Sequence, residues 1–411
     1  MGDPTIAAGS PRQIFISTGE VSGDLQGAIL AEALHLEAAE RGIALAITGL
    51  GGPRMERAGV ALVGDTTGIG SIGIFEALPY LLPTLRLQRQ AKQAILAHPP
   101  DAVVLLDYMG PNMEMGRFLQ DYLPRVPITY YIAPQQWVWA FSEKDTHKLV
   151  SYSDQMLAIF QAEAEYYQHF GAKVTWVGHP LVDRYPTPPD QREARQRLGL
   201  TADQTVITLL PASRRQEVKY LLPTLIQAAQ ILQQQLPDAL FLIPVSAAEL
   251  QPRFDHAFTQ AGLRGRLVIP TADYQPTDAI AAADVALTKS GTANLEVALM
   301  NVPQVVAYRI NPISARIAYY GLNFRLPYVS PVNLAVNQRI VPEFLQWEAT
   351  PEALATAALD LLQNPTSRQT MLAGYATLRH TLGHPGACRR AAGLILDQLS
   401  MVGSPGVGSR E

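Results

Sequence analysis

From Gln13 onward, short apolar runs alternate with longer segments whose apolar and polar residues interleave at helical spacing. QIFIST (13–18), ALAITGLGG (44–52), DAVVLLD (101–107), PITYYIA (127–133), QMLAIF (155–160) and KVTWVGHP (173–180) read as strands. DLQGAILAEALHLEAAERG (24–42), PRMERAGV (53–60) and TLRLQRQAKQAILAHPP (84–100) read as intervening helices. Continuous apolar runs between helices belong to strands buried on both faces, hence to a parallel sheet in an α/β layer. The alternation breaks where Pro180, Pro186, Pro188 and Pro189 crowd together, which predicts a linker. It restarts with strands TVITLLP, ALFLIPV, RLVIP, ADVALT and PQVVAY, and with helices EVKYLLPTLIQAAQILQQQ and TANLEVALMN. The expected organisation is a leader (1–12), a first doubly wound α/β domain (13–185), a second (186–385) and a C-terminal helix with a flexible tail (386–411). The two domains would face a cleft suited to a ligand.

Composition narrows the chemistry. The 411 residues, 48% of them hydrophobic, suffice for two domains of ordinary size. A net charge of −4 offers no basic face for nucleic acid. The single cysteine, Cys388, excludes an intramolecular disulfide framework and fits a reducing compartment. Eight histidines without HExxH or paired spacing give no expectation of a protein metal site. No apolar run reaches the roughly 20 residues of a membrane span. The opening MGDPTIAAGSPR lacks the apolar core of a secretory signal.

Candidate chemistry gathers at strand ends, where helix N-termini present free amides. The stretch GEVSGD puts Glu20, Ser22 and Asp24 between Gly19 and Gly23. The glycines suit a tight turn and close approach to a ligand. Ser22 or Asp24 could cap a helix starting near Leu25, which leaves Glu20 without a structural task. A carboxylate there suits a sugar hydroxyl better than a pyrophosphate. Asp107 ends VVLLD, either as a general base or as a turn residue. Gly49, Gly51 and Gly52 form a further permissive loop. Trp137 and Trp139 read as core or cleft wall, and His179 as a structural histidine sooner than a catalytic one. In the second half, Ser213, Arg214 and Arg215 lie between a strand and a helix, as do Lys289, Ser290, Gly291 and Thr292, with Glu296 following. Arginine forks and helix amides suit a diphosphate, and a carboxylate suits ribose hydroxyls. The alternative is ordinary helix capping.

In order, GEVSGD, GGPRMERAGV, SIGIFEAL, LLD, WVW, VGHPLVD, LLPASR, SGTANLE, VAYR and YVSPVNLAVNQRIVPEFLQ resemble the signatures of the lipid-A-disaccharide synthase family, over about residues 14–346. The resemblance implies a GT-B glycosyltransferase with an acceptor-binding N-terminal domain and a UDP-sugar-binding C-terminal domain. It implies a hexosyltransferase that moves 2,3-diacylglucosamine from UDP to 2,3-diacylglucosamine 1-phosphate, inverting the anomeric carbon with no metal or other cofactor. Carried over, Asp107 is the catalytic base and Glu20 binds or activates the acceptor hydroxyl. Ser22, Gly23, Asn112, Arg309 and Asn333 line the substrate. Ser213, Arg214, Ser290, Gly291, Thr292 and Glu296 hold UDP. The expected location is cytoplasmic, peripheral on the inner face of the inner membrane, and a homodimer is allowed for. GIFEALPYLLPTLRLQRQAKQ (73–93), apolar and then basic at Arg86, Arg89 and Lys92, suits either an anionic membrane surface or an ordinary amphipathic helix.

The departures are specific. The family pattern Asp-x-Pro-Asp-Phe-Asn reads Asp107-Tyr108-Met109-Gly110-Pro111-Asn112 here, losing the second acid. LPGSR has Ala212 in place of Gly, Lys289 precedes SGTA where a small or apolar residue is usual, VSLPN reads VSPVN, and Gln338-Arg339 replace an Arg-Glu pair. Three other readings stand beside the main one: action on another lipid acceptor, a UDP-sugar 2-epimerase, and a non-catalytic relative that binds UDP-sugar or lipid. A dinucleotide dehydrogenase lacks its GxGxxG.

Overall fold

The computed structural model describes residues 11–69, 80–138, 142–212, 215–245, 248–317 and 326–402, with side chains omitted at 215, 216 and 400–402. The chain divides into two compact units. Unit 1 comprises residues up to Asp183 and again from Gly383, and unit 2 runs from Arg184 to Leu382.

Unit 1 is built from β1 (Arg12–Ser17), α1 (Glu20–Glu40), β2 (Leu45–Gly51), α2 (Pro53–Arg57), β3 (Val60–Asp65), α3 (Leu81–Ala97), β4 (Ala102–Leu106), α4 (Met109–Tyr122), β5 (Ile128–Tyr131), α5 (Glu143–Tyr152), β6 (Gln155–Ala158), α6 (Gln161–His169) and β7 (Val174–Trp176). Helix α7 (Pro180–Arg184) carries the chain into unit 2. There follow α8 (Gln191–Arg197), β8 (Val206–Leu210), α9 (Arg215–Gln235), β9 (Leu240–Pro244), α10 (Gln251–Gln260), β10 (Gly265–Val268), α11 (Pro276–Ala281), β11 (Val285–Lys289), α12 (Thr292–Leu299), β12 (Gln304–Tyr308), α13 (Pro312–Arg316), α14 (Pro331–Val336), β13 (Glu343–Leu345), α15 (Pro351–Gln363) and α16 (Pro365–Thr381). Helix α17 (Ala387–Val402) then returns to unit 1 and packs on α1.

Both sheets are wholly parallel. Their orders are β3-β2-β1-β4-β5-β6-β7 and β10-β9-β8-β11-β12-β13. Each winds outward from its first strand and then reverses, at β1/β4 in unit 1 and at β8/β11 in unit 2. Such reversal points are where open α/β sheets take ligands, beyond the strands' carboxyl ends. The central strands β4, β5 and β6 are buried at every position, as strands covered by helices on both faces must be. Phe15, Val103, Leu105, Met115, Leu119, Tyr130 and Tyr167 fill the core on one face. Among the described residues no helix is long and apolar enough to cross a membrane.

Several sequence expectations change. Strands β3 and β13 were not expected: both are sheet edges with few buried side chains, β3 carries only the short apolar run Val60–Val63 and β13 has three residues. Helix α1 starts at Glu20, not near Leu25, with Gly19 as its extended N-cap. Gly23 therefore lies inside a helix. Its role is close packing, since a Cβ there would fall 2.1 Å from the Thr18 hydroxyl oxygen. Asp24 does not cap its own helix. Its carboxylate accepts from the amides of Arg54 (3.2 Å) and Met55 (2.9 Å), which caps α2 instead. The C-terminal helix is no appendage: Asp183, where the chain leaves unit 1, accepts from the amides of Gly386, Ala387 and Cys388 and so caps α17. The leader through residue 10, and the tail beyond 402, lie outside the described residues.

Candidate active site

In unit 1 the carboxylates of interest close the two strands beside the reversal point. Glu20 follows β1 and is half-buried, and Asp107 follows β4 and is exposed. Glu20 (φ 63), Asp107 (φ 46), Tyr108 (φ 51) and Ile132 (φ 55) all take left-handed backbone conformations without being glycine. These residues end three strands that stand next to one another, β1, β4 and β5. Each such residue costs on the order of 1–3 kcal/mol and persists where its surroundings over-determine it, as at ligand sites.

The surroundings are specific. Asp107 donates its amide to the Ile132 carbonyl at 3.0 Å. The Asp107 carbonyl accepts from the Asn112 side-chain amide at 2.7 Å and from the Tyr130 phenol at 2.8 Å. Asn112 is oriented in turn by the Ser17 hydroxyl, which donates to its side-chain oxygen at 2.7 Å. It also donates to the Leu106 carbonyl at 3.1 Å. Asn112 thus ties the end of β1 to the end of β4. The Tyr108 ring lies directly on Gly19, where a Cβ would meet it at 2.4 Å. Burial foremost, and to a smaller degree the Glu20 charge, push the Tyr108 phenol upward against a bond with Thr84. Glu163 secures the next loops: its carboxylate accepts from Ala133 (2.9 Å), Ile159 (2.9 Å) and Phe160 (3.2 Å). Burial outweighs those donors and pushes its carboxyl up to about 7. Burial holds His179 down at about 3, so it stays neutral and accepts the Leu181 amide at 3.1 Å, a structural role. Trp137 packs on Phe160 with ring centroids 5.4 Å apart, while Trp139 lies outside the described residues.

In unit 2 the equivalent reversal point carries the start of α12. Gly291, its N-cap, has φ 140 and offers no side chain of its own to cap the helix. Thr292, its first residue, is exposed. The Ser290 hydroxyl donates to the Val329 carbonyl at 2.8 Å. Glu296 accepts from Arg184 at 2.9 Å, with the Tyr185 phenol at 3.5 Å. Lys289 donates to both oxygens of Glu217, at 3.0 and 2.9 Å, and both side chains are largely buried. Arg309, just beyond β12, donates to the Thr224 hydroxyl at 2.7 Å. Ala212 follows β8 with φ 153. Ser213 and Arg214 lie outside the described residues.

With these placements established, similarity to known proteins decides the family. A model of the lipid-A-disaccharide synthetase family matches residues 14–396. The chain belongs to the lipid-A-disaccharide synthase family. A lipid-A-disaccharide synthase of Gloeothece citriformis is 51% identical over 94% of this chain and 99% of its own. One from Geobacter sulfurreducens is 33% identical over 94% and 97%. Among solved structures, a Staphylococcus aureus MnaA–UDP co-structure superposes with a TM-score of 0.64 at 14% identity, over 95% of this chain and 97% of that one. Acinetobacter baumannii MurG gives 0.54 at 14%, over 94% and 100%. At such identities the likeness is one of fold, the GT-B fold of glycosyltransferases and related epimerases.

Within the lipid-A-disaccharide synthase family pattern, several residues expected at the ligand prove internal. Asn112 and Asn333 have no exposed surface. Asn112 serves the Asp107 turn. Asn333 accepts from the Ile340 and Val341 amides and donates to the Val341 carbonyl, which locks the loop before β13. Gly23 is buried against Thr18, while Ser22 stays half-buried in the first turn of α1. Lys289 does not add an uncompensated charge, because Glu217 neutralises it. Tyr130 and Glu163 lie in none of the motifs, and the task of Asp183, the last residue of VGHPLVD, is set by amides about 200 residues away in sequence.

Proposed function

We propose that the chain makes a lipid disaccharide by transferring 2,3-diacylglucosamine from UDP to 2,3-diacylglucosamine 1-phosphate, with inversion and without a metal. The observation that carries the mechanism is the position of Glu20 and Asp107 at the ends of β1 and β4, the reversal point of unit 1. Asp107 takes the proton of the acceptor hydroxyl as it attacks the anomeric carbon, and Glu20 binds or polarises that hydroxyl. UDP leaves with its charge spread over the diphosphate. Its binding falls to unit 2: the start of α12 at Gly291 and Thr292 supplies amides, and Ser213 and Arg214 supply further donors. Ser290 shapes the loop before α12. Glu296 meets the ribose in exchange for part of its contact with Arg184, and Arg309 flanks the site. Ser22 contributes to the acceptor side.

The enzyme works at a membrane surface in this proposal. Leu81, Leu82 and Leu85 of α3 are each more than half exposed. Arg86, Arg89 and Lys92 follow on the same helix. Apolar residues beside cations suit acyl chains and anionic headgroups. The cytoplasmic face of the inner membrane is where both substrates would be met, and a homodimer is compatible with the scheme.

The deciding experiment incubates the purified protein with UDP-2,3-diacylglucosamine and 2,3-diacylglucosamine 1-phosphate, and follows UDP and disaccharide together. Asp107→Asn is expected to bind UDP normally and transfer almost no sugar. Glu20→Gln is expected to lose turnover or acceptor affinity. UDP bound with no product would favour another acceptor lipid or a binding protein.

A further inference from the structure

The Asp107 turn holds two consecutive non-glycine residues in left-handed conformations, and two of the side chains that fix it, Tyr130 and Asn112, are fully buried. Tyr130 is fully buried on the neighbouring strand β5. Its phenol reaches one atom of the turn, the Asp107 carbonyl, at 2.8 Å. Asn112 shares that carbonyl, and Ile132 takes the Asp107 amide. Both ends of the residue's backbone are therefore held, by Tyr130 of β5, by Ile132 just past it and by Asn112 of α4. A left-handed turn with one clamp removed relaxes toward ordinary backbone and swings the side chain.

We infer that Tyr130 is a positioning residue, whose phenol holds the strained turn that aims the Asp107 carboxylate and which affects the reaction only through Asp107. The inference rests on the proposed role of Asp107 as base. Burial raises the Tyr130 phenol well above its ordinary range, so it remains a donor at any working pH. Tyr130→Phe keeps the ring and its packing and removes the phenol's hydrogen bond to the turn.

The test compares Tyr130→Phe, Asp107→Asn and the double variant, with both acylated substrates and the full chain. Tyr130→Phe is expected to lower kcat tenfold or more, as small misplacements of reacting groups do, with KM for each substrate within about twofold. In the Asp107→Asn background it is expected to add no further loss to the residual rate. A wild-type rate in Tyr130→Phe, with Asp107→Asn inactive, would overturn the inference and leave the base assignment intact. Equal proportional losses in both backgrounds would also overturn it, since that is the mark of a general structural role. An active Asp107→Asn would instead remove the base assignment itself. Should Tyr130→Phe fail to fold, as read by circular dichroism and melting, Ser17→Ala carries the same test. Ser17 orients Asn112 at the same carbonyl, and its loss is expected to lower kcat in the same direction, again only when Asp107 is present.

Discussion

Replacing Asp183 with Ala should loosen α17 selectively, and Cys388 provides a built-in reporter. One Asp183 oxygen accepts from Gly386 (2.5 Å) and Ala387 (3.1 Å), and the other accepts from Cys388 (2.9 Å). Loss of an N-cap alone costs about 1 kcal/mol. Here three donors lose a charged acceptor, but Asp183 is half-buried, so water replaces part of the interaction. About 2 kcal/mol is the expected total, or roughly a 30-fold increase in the open population of the helix. Cys388 is the chain's single cysteine and is buried, and burial pushes its thiol far up, so a thiol-specific disulfide reagent reaches it only after local opening. Under native conditions Asp183→Ala should label about 30-fold faster than wild type. Asp183→Asn, which keeps one acceptor oxygen, should fall between them. Labelling of Asp183→Ala within about twofold of wild type would refute the view that this carboxylate holds the helix down.

Four further outcomes follow from geometry. Gly23→Ala places a Cβ 2.1 Å from the Thr18 hydroxyl and should cost about 1–3 kcal/mol in urea unfolding, while Thr18→Ala in the same chain should recover most of it. Ala212→Gly should raise stability by about 1 kcal/mol, because φ 153 strains alanine and not glycine; an unchanged urea midpoint would argue against strain there. Glu163 titrates near 7 in the native chain against about 4.5 unfolded, so the native state binds the extra proton between those values. Its contribution to stability should be full below about pH 4.5 and fall by a few kcal/mol as pH rises through 7, a slope that Glu163→Gln should remove when urea midpoints are compared across that window. Gly291→Ala forces a side chain onto φ 140 and toward Lys289, 3.2 Å away, and should weaken UDP binding at least tenfold by calorimetry.

How much of this was legible in the sequence depended on where each residue acts. The central strands announced themselves, because β4, β5 and β6 are covered on both faces and therefore continuously apolar. The edge strands β3 and β13 did not, since one offers an apolar run of only four residues and the other is three residues long. GEVSGD was rightly located at a strand end but misread as a turn: the composition of a glycine-rich turn and of a helix start that must pack tightly on Thr18 is the same. Asp107 and Glu20 drew attention as carboxylates at strand ends, where a base and a turn residue look alike in sequence. Asn112 and Asn333 looked like ligand residues because they sit within the same motifs. Their amides are consumed by the backbone of the loops they stabilise, and only coordinates distinguish the two roles. Lys289 looked like a stray charge until Glu217, 72 residues away, was found beside it.

The return of α17 to the first unit has a consequence for how the protein is made. Residues 184–382 form one unbroken stretch, so unit 2 has all its parts once that stretch has left the ribosome. Unit 1 begins earlier and finishes later. Helix α1 lacks the partner it packs on, and Thr129 and Gln155 lack Gln398 and the Leu394 carbonyl, until the segment 387–402 has been synthesised. The half that is translated first must therefore wait, with an apolar helix face uncovered, through the production of the entire second half. Factors that shield nascent chains should accordingly recognise α1, and late truncations should damage unit 1 before unit 2.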